Sequence, residues 1–210
     1  MAWPGGDHQK ALNHLMHYVV STKERGLVIA PERIWDGSAD FLFRIHGRSD
    51  SEYAANTDDR RSVSGARVFV EGAPVVFRSA TQRFVTLSVT EAETGGGVTT
   101  AQDMVYIYRL FTSLGLKVEL PMVFEMDNKG AVDLANNWSV GGRTRHMDVR
   151  QHYLRELKDE GLLVIKHLPG DDNDADIFTK NTTKQIFNKH IVKYVGRDEY
   201  LEGSGSGDAP

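Results

Sequence analysis

Four acidic side chains in this sequence could bind divalent metal together: Asp50, Glu93, Asp127 and Asp176. Carboxylates that converge on one place repel each other, so a fold tolerates such a cluster mainly when cations share the site. Oxygen ligands without cysteine favour Mg²⁺ or Mn²⁺ over zinc. Two such ions would activate a water and stabilise the leaving oxygen of an in-line displacement, which predicts hydrolysis of a phosphodiester.

Two of these acids stand at the ends of predicted strands. Residues 41–50 alternate apolar and polar side chains like a half-buried strand, which ends at Asp50. Residues 122–126 are a short apolar run that leads directly into Asp127. If these two strands are neighbours in one sheet, the two aspartates lie side by side.

The other two acids fall in predicted helices. A helical pattern opens shortly before Glu93 and ends at Gly115, so Glu93 lies in its first turns. Asp176 lies early in a last helix predicted to start near Asn173. Gly95–Gly97 interrupt the first pattern, and each interior glycine costs roughly 1 kcal/mol of helix propensity. These glycines indicate either a close approach of the helix backbone to the sheet or a ligand, or a kinked or broken helix.

The remaining segments complete an alternation of strands and helices. The patterns predict an amphipathic helix of about four turns that is capped by Asp7 and ends before Gly26, a hairpin of strands at 66–70 and 75–79, helices at 129–136 and 145–160, and a strand at 162–168. This order predicts a mixed sheet with helices packed on its faces.

The composition is that of a globular protein. Of 210 residues, 40% are hydrophobic and 26% are charged, and none is cysteine, which excludes disulfides and fits a reducing intracellular setting. No apolar run approaches the length of a membrane-spanning helix, so we expect no membrane partner.

The charge distribution favours a phosphate-rich partner more than the net charge of −4 indicates. Residues 177–197 contain five basic residues and no acid, and residues 141–155 contain four arginines and one acid. Two divalent ions at the acidic cluster would offset the net negative charge. The local basic segments therefore favour nucleic acid.

Several motifs occur in the order typical of one protein family. They are Ser49–Gly65 (SDSEYAANTDDRRSVSG), Leu87–Glu93 (LSVTEAE), Asp127–Ala131 (DNKGA), Arg143–His152 (RTRHMDVRQH) and Ala175–Lys180 (ADIFTK). Together they resemble the ribonuclease H domain at the C-terminal end of Ty1/copia-type retrotransposon polyproteins. The resemblance covers roughly residues 8–182.

This resemblance implies an α/β, ribonuclease H-like fold with a mixed five-stranded sheet and helices on both faces. It implies hydrolysis of the RNA strand of RNA–DNA hybrids with two Mg²⁺ or Mn²⁺ ions. The same four acids, Asp50, Glu93, Asp127 and Asp176, are then both catalytic residues and metal ligands. The implied partners are the hybrid and the reverse transcriptase portion of a polyprotein. The implied location is intracellular and cytoplasmic, with virus-like particles as one setting.

The resemblance also divides the chain. Residues 1–40 resemble the segment that joins a reverse transcriptase to this domain, residues 41–198 form the ribonuclease H-like domain, and residues 199–210 are a Gly/Ser-rich tail expected to be disordered.

Other residues have two interpretations each. His167 is either a proton-transfer residue or an ordinary strand residue. The predicted contacts to nucleic acid are Asn128, Arg143, Arg145, Arg150, Lys180 and Lys184. For the basic residues the alternative is a solvated helix face with ordinary ion pairs. For Asn128, which could reach a 2′-hydroxyl, the alternative is a helix N-cap.

Two alternatives to an active hybrid nuclease stay open. Glu52, Tyr53, Asn56 and Thr94 depart from the family pattern, as does the glycine run, so the chain could be an inactive or domesticated module that binds nucleic acid. Another nuclease of the same fold is the second alternative, but the ADIFTK stretch argues against it.

Overall fold

The structure, a computed structural model, describes residues 5–137 and 145–195 of the chain. The elements are α1 (Gly6–Ser21), β1 (Leu42–Phe43), β2 (Ile45–Glu52), β3 (Val63–Val70), β4 (Ala73–Thr81), α2 (Val89–Ser113), β5 (Lys117–Val118), β6 (Met122–Met126), α3 (Lys129–Asn136), α4 (Arg145–Asp159), β7 (Leu163–His167), two 3₁₀ helices (Gly170–Asp172 and Asp174–Phe178) and α5 (Lys184–Val195).

Five strands form one mixed sheet in the order β4-β3-β2-β6-β7. β2 pairs antiparallel with β3, and β3 pairs antiparallel with β4. β6 lies parallel to both β2 and β7, and the short strands β1 and β5 pair separately. The predicted mixed sheet is confirmed, as is the prediction that the strands ending at Asp50 and Asp127 are neighbours.

Helices cover both faces of this sheet. On one face Gly47 of β2 lies directly under Met104 of α2, and α3 and α4 complete that layer. On the other face Gly65 of β3 lies against the backbone oxygen of Ala175 in the second 3₁₀ helix, and the Phe69 ring packs edge-on against Tyr194 of α5. The ribonuclease H-like α/β fold expected from the motifs is confirmed by this arrangement.

The glycine run lies inside a continuous helix. Any side chain at Gly96 would collide with the Ser51 hydroxyl on β2, and one at Gly97 would collide with the sulfur of Met126 on β6. The run therefore brings the α2 backbone close to the sheet. The close approach of the helix backbone to the sheet is confirmed, and the interpretation of a broken helix is wrong.

The last predicted helix differs from the structure. Helical geometry does begin at Asp174, but as a short 3₁₀ helix that ends at Phe178, and α5 begins only at Lys184. Asp176 therefore lies in the 3₁₀ helix, and its placement in the last α-helix was wrong. Side-chain hydrogen bonds and ion pairs fix this short segment to the sheet, and residues 181–183 (Asn-Thr-Thr) are weak helix formers.

The segment before β1 is joined to the sheet by a buried carboxylate. Glu71 and Gly72 both have positive φ (51° and 79°) and form the tight turn between β3 and β4. The Glu71 carboxylate accepts hydrogen bonds from Arg33 Nε at 2.7 Å and from the backbone N–H of Arg44 at 2.6 Å. Residue 33 is thereby held against the start of β2.

Helix α1 has the predicted length of about four turns and ends at Ser21, but its N-cap is Gly5, so Asp7 lies in its first turn and the predicted Asp7 cap was wrong. Its residues are exposed, and the Tyr18 ring packs edge-on against Phe187 of α5. In the described part of the chain, no helix is both long enough and apolar enough to cross a membrane.

Candidate active site

Asp50 occupies the centre of the candidate site. It lies near the end of β2 with its side chain 1% exposed, on the face covered by the second 3₁₀ helix. Oδ2 accepts a hydrogen bond from the Thr179 hydroxyl, and Oδ1 lies 3.1 Å from Lys180 Nζ. Both oxygens are therefore bound by residues that follow the 3₁₀ helix.

Two further carboxylates lie beside Asp50. Asp127 follows β6 directly, and Asp176 extends from the 3₁₀ helix. One ligand oxygen from each of the three lies within 4.8 Å of the other two. The structure thus brings together three of the four predicted acids at the ends of β2 and β6, as the strand-end argument expected.

Glu93 approaches the same place from α2 on the other side of the sheet. It is buried, and its Oε2 has no hydrogen-bond partner. Burial first, and then the charges of Asp50 and Asp127, raise the pKa of Glu93 to about 9, although the backbone amide of Ser51 partly opposes this shift. Glu93 lies close enough to share the field of the cluster, but it is not one of the three converging ligand oxygens.

The cluster carries more negative charge than its surroundings neutralise. Burial, followed by repulsion from Asp50, raises the pKa of Asp176 to about 6 and also raises the pKa of Asp127. Lys180 opposes both shifts from its position 3.1 Å from Asp176 Oδ1. Oxygen ligands alone, an unpartnered buried oxygen on Glu93 and excess negative charge fit a hard divalent cation.

A separate group of ion pairs fixes the 3₁₀ helix that carries Asp176. Asp174 is completely buried and pairs with Arg48 Nη1 at 3.2 Å, with Lys193 Nζ at 2.7 Å and with Arg67. Burial would raise the pKa of Asp174, but these three cations hold it below its usual value. In addition, Asn173 Nδ2 donates to the backbone oxygen of Ser49 at 3.0 Å.

The sequence offered no signal for the role of Asp174. It is one of several aspartates in a short acidic stretch, and its partners lie on β2, β3 and α5. Arg48 and Arg67 are paired across β2 and β3, so both guanidinium groups face Asp174. This register is known only from the structure.

A buried polar network holds the start of α2 against the sheet. Gln82 Nε2 donates to Ser64 Oγ at 2.7 Å and to the backbone oxygen of Ala92 at 2.9 Å. The Ser88 side chain caps α2 by accepting from the backbone N–H of Glu91 at 3.1 Å. These contacts position the turn that carries Glu93.

The structure assigns partners to His167 and Asn128. His167 is the last residue of β7, and its Nε2 lies 3.0 Å from the backbone oxygen of Asp127. Asn128 Oδ1 accepts from the backbone N–H of Ala131 at 2.9 Å, so the N-cap interpretation is confirmed. Proton transfer by His167 and a groove contact by Asn128 stay predictions.

The predicted basic contacts have different surroundings. The Arg150 guanidinium lies 3.6 Å above the centroid of the Phe84 ring, Lys184 is exposed at the start of α5, and Lys180 points into the acidic cluster. Arg143 lies outside the described residues, and Arg145 begins α4 but its side chain is likewise outside them. Phosphate contact by these five residues stays a prediction.

Comparison with known proteins gives relatives among transposon polyproteins. No protein-family model matches the chain. It is 30% identical over 184 residues to the retrovirus-related Pol polyprotein from transposon TNT 1-94 of Nicotiana tabacum, and 29% identical over 187 residues to that from transposon RE2 of Arabidopsis thaliana. These alignments cover 88% and 89% of this chain but only 13% and 12% of the two polyproteins.

Solved structures with a similar fold include ribonucleases H. LC11-RNase H1 isolated from compost is 16% identical with a TM-score of 0.48, and the match covers 70% of this chain and 98% of that one. The N-terminal RNase H domain of Rv2228c from Mycobacterium tuberculosis is 14% identical with a TM-score of 0.49, over 70% of this chain and 97% of that one. The resemblance drawn from the motifs is confirmed by the sequence relatives: this chain is a homologue of the Pol polyproteins of copia-type retrotransposons.

Proposed function

We propose that this chain is a metal-dependent ribonuclease of the ribonuclease H type, which hydrolyses the RNA strand of RNA–DNA hybrids as part of a retrotransposon Pol polyprotein. The observation that carries this proposal is the convergence of Asp50, Asp127 and Asp176, whose ligand oxygens lie within 4.8 Å of one another. Homology to Pol polyproteins supports the same assignment.

The ligands that we propose for two Mg²⁺ or Mn²⁺ ions are Asp50, Asp127, Asp176 and Glu93. When bound, the ions would supply an activated water and charge stabilisation for the leaving oxygen. Support comes from the unpartnered Oε2 of Glu93 and from the raised pKa values of Glu93 and Asp176. A purely structural cluster would have little reason to retain so much uncompensated charge.

The protein residues have defined tasks in this proposal. Asp50 is held rigidly at the end of β2, and the Asp174 ion pairs fix the turn that presents Asp176. The hybrid is itself anionic, so its binding requires cations beyond the acidic cluster. We propose Arg150 and Lys184 for these contacts, with Arg143 and Arg145 as further candidates on the basis of the sequence alone.

The test is cleavage of a hybrid with labelled RNA, in Mg²⁺, in Mn²⁺ and in chelator, beside single-stranded RNA and duplex DNA. We expect metal-dependent loss of the hybrid's RNA strand only, and no loss with Asp127→Asn. Cleavage that persists in chelator or in Asp127→Asn would overturn the metal assignment. Cleavage of duplex DNA in place of the hybrid would overturn the substrate assignment.

A second candidate is a module that binds nucleic acid without cutting it. The ion pairs of Lys180 with Asp50 and Asp176 favour this candidate, because they hold the cluster together without metal. Binding of the hybrid with no cleavage in either metal would favour this module. In either case we propose the reverse transcriptase portion of the polyprotein as a partner.

A further inference from the structure

Lys180 lies where the candidate site needs a cation. Its Nζ is 3.1 Å from Asp50 Oδ1 and 3.1 Å from Asp176 Oδ1, so one ammonium group donates to two of the three converging carboxylates. It lies four positions after Asp176, two residues beyond the end of the 3₁₀ helix.

The other nearby cations are committed elsewhere. Arg48, Arg67 and Lys193 pair with Asp174, and Lys189 Nζ lies 2.8 Å from Asp172 Oδ1. Among the described residues, Lys180 is the basic side chain that forms ion pairs with the converging carboxylates. It therefore supplies the positive charge that holds them together in the absence of metal.

The hydrogen bonds of Asp50 show why this lysine and a metal ion compete. The Thr179 hydroxyl binds Oδ2, and Lys180 binds Oδ1, so neither oxygen of this buried carboxylate is free. A metal ion that binds Oδ1 takes the position of the ammonium group. Repulsion between a divalent ion and an ammonium a few ångströms apart also disfavours their binding together.

We propose that Lys180 is a tethered counter-cation, which holds the acidic cluster together before metal binds and competes with the divalent ion for Asp50 and Asp176. This inference rests on the proposed metal-dependent function. The Lys180 side chain is 38% exposed, so its stem can carry the displaced ammonium outward while it remains at the mouth of the site. There it is close to any phosphate that approaches the cluster.

The test compares Lys180→Met with Lys189→Met in the full chain. Both variants lose one positive charge, but Lys189 pairs with Asp172 outside the cluster. Mn²⁺ affinity is measured by calorimetry, and thermal unfolding is measured in chelator. We expect Lys180→Met to bind Mn²⁺ about tenfold more tightly or better, and to unfold at a lower temperature than the parent without metal. Lys189→Met should match the parent in Mn²⁺ affinity.

An Mn²⁺ affinity of Lys180→Met that equals or falls below that of Lys189→Met overturns the inference. If the parent binds Mn²⁺ and both variants match it, only the competition is refuted and the proposed metal site survives. If neither the parent nor Lys180→Met binds Mn²⁺, the inference and the proposed metal-dependent function both fail.

A second measurement uses the unmutated chain and so does not depend on whether a variant folds. Amine-reactive labelling of each lysine is followed by mass spectrometry with and without Mg²⁺. Because the metal would release Lys180 from its two carboxylates, we expect its labelling to rise several-fold on addition of Mg²⁺ while that of Lys189 stays constant. Equal labelling of Lys180 in both conditions, with Mg²⁺ shown to bind, contradicts displacement.

Discussion

Two carboxylates in one 3₁₀ helix, Asp174 and Asp176, have opposite electrostatic environments. Asp174 is completely buried and shared by three cations, which keep its pKa below the usual value. Asp176 faces Asp50 and Asp127 and shares a single lysine with Asp50, and its pKa is raised to about 6. The first region, around Asp174, is neutralised by the cations of the protein itself. The second region, around Asp50, Asp127 and Asp176, retains negative charge. This difference distinguishes an acid that builds the site from acids that can bind a ligand.

The largest expected effect comes from the second region. Asp127→Asn removes one converging carboxylate while preserving its shape, so we expect metal-dependent hybrid cleavage to fall below detection. Because burial and Asp50 raise the pKa of Asp127, its charge opposes folding at neutral pH. The free energy of unfolding without metal should therefore stay level or rise.

Asp172→Asn is the matched control, since it removes an exposed carboxylate from the same loop region. It should cleave like the parent. Loss of cleavage in both variants would show that charge anywhere near the 3₁₀ helices matters, and the contrast between the two regions would disappear.

The next effect is on stability in the first region. Asp174→Asn leaves Arg67 buried without its charge partner, and removal of one member of a buried pair typically costs about 3–5 kcal/mol. We expect a fall of that order in the free energy of unfolding, measured by urea denaturation with Mg²⁺ present. Cleavage by the folded fraction should fall less than in Asp127→Asn, because Asp174→Asn loosens the turn that presents Asp176 but removes none of the converging carboxylates.

A change in Asp174→Asn comparable to that in Asp172→Asn would mean that the three cations do not depend on this carboxylate. The 3₁₀ helix would then be held mainly by Asn173 and by apolar packing around Phe178. Asp174→Ala provides a further check, because it also removes the shape of the side chain.

The sequence predicted the second region far better than the first. The hydrophobic pattern stops at both aspartates, and β6 does end directly before Asp127, whereas β2 continues two residues past Asp50 to Glu52. Asp174 could not be distinguished from Asp171 and Asp172, because its burial depends on which residues of β2 and β3 face each other.

The position of Lys180 was also not predicted, for a reason of local geometry. The basic segment that contains Lys180 favoured contact with nucleic acid, and nothing in the sequence indicated that this lysine pairs with Asp50, which lies 130 positions earlier in the chain. The 3₁₀ helix ends at Phe178, and the chain then turns so that Lys180 reaches Asp50. The order of the strands in the sheet was predicted from the motif resemblance more than from the hydrophobic periodicity of the sequence.

The two regions should also respond in opposite directions to pH. The folded-state pKa values of Glu93 and Asp176 are raised, to about 9 and about 6, so the folded protein binds protons more tightly than the unfolded chain. Without metal, stability should therefore decrease as pH rises from about 5 to about 9. The lowered pKa of Asp174 acts in the reverse direction, and its contribution is lost as pH falls below about 4.

Urea denaturation at a series of pH values, in chelator and in Mg²⁺, measures both effects. Mg²⁺ should remove most of the decline above pH 5, since it stabilises the charged carboxylates. A free energy of unfolding that does not change with pH in chelator would show that the protein already neutralises the acidic cluster without metal. The comparison between the two regions would then rest on geometry alone.

The smallest expected effect is that of Lys193, which pairs with Asp174, in comparison with Lys180, which pairs with Asp50 and Asp176. Lys193→Met removes one of three cations around Asp174, and Lys193 is 39% exposed, so we expect a loss of only about 1 kcal/mol in the free energy of unfolding. Because Arg48 and Arg67 still neutralise Asp174, Mn²⁺ affinity and cleavage should stay at the parent level. A gain in Mn²⁺ affinity equal to that of Lys180→Met would contradict this expectation, since it would mean that the two regions share one electrostatic field in spite of their separate ion pairs.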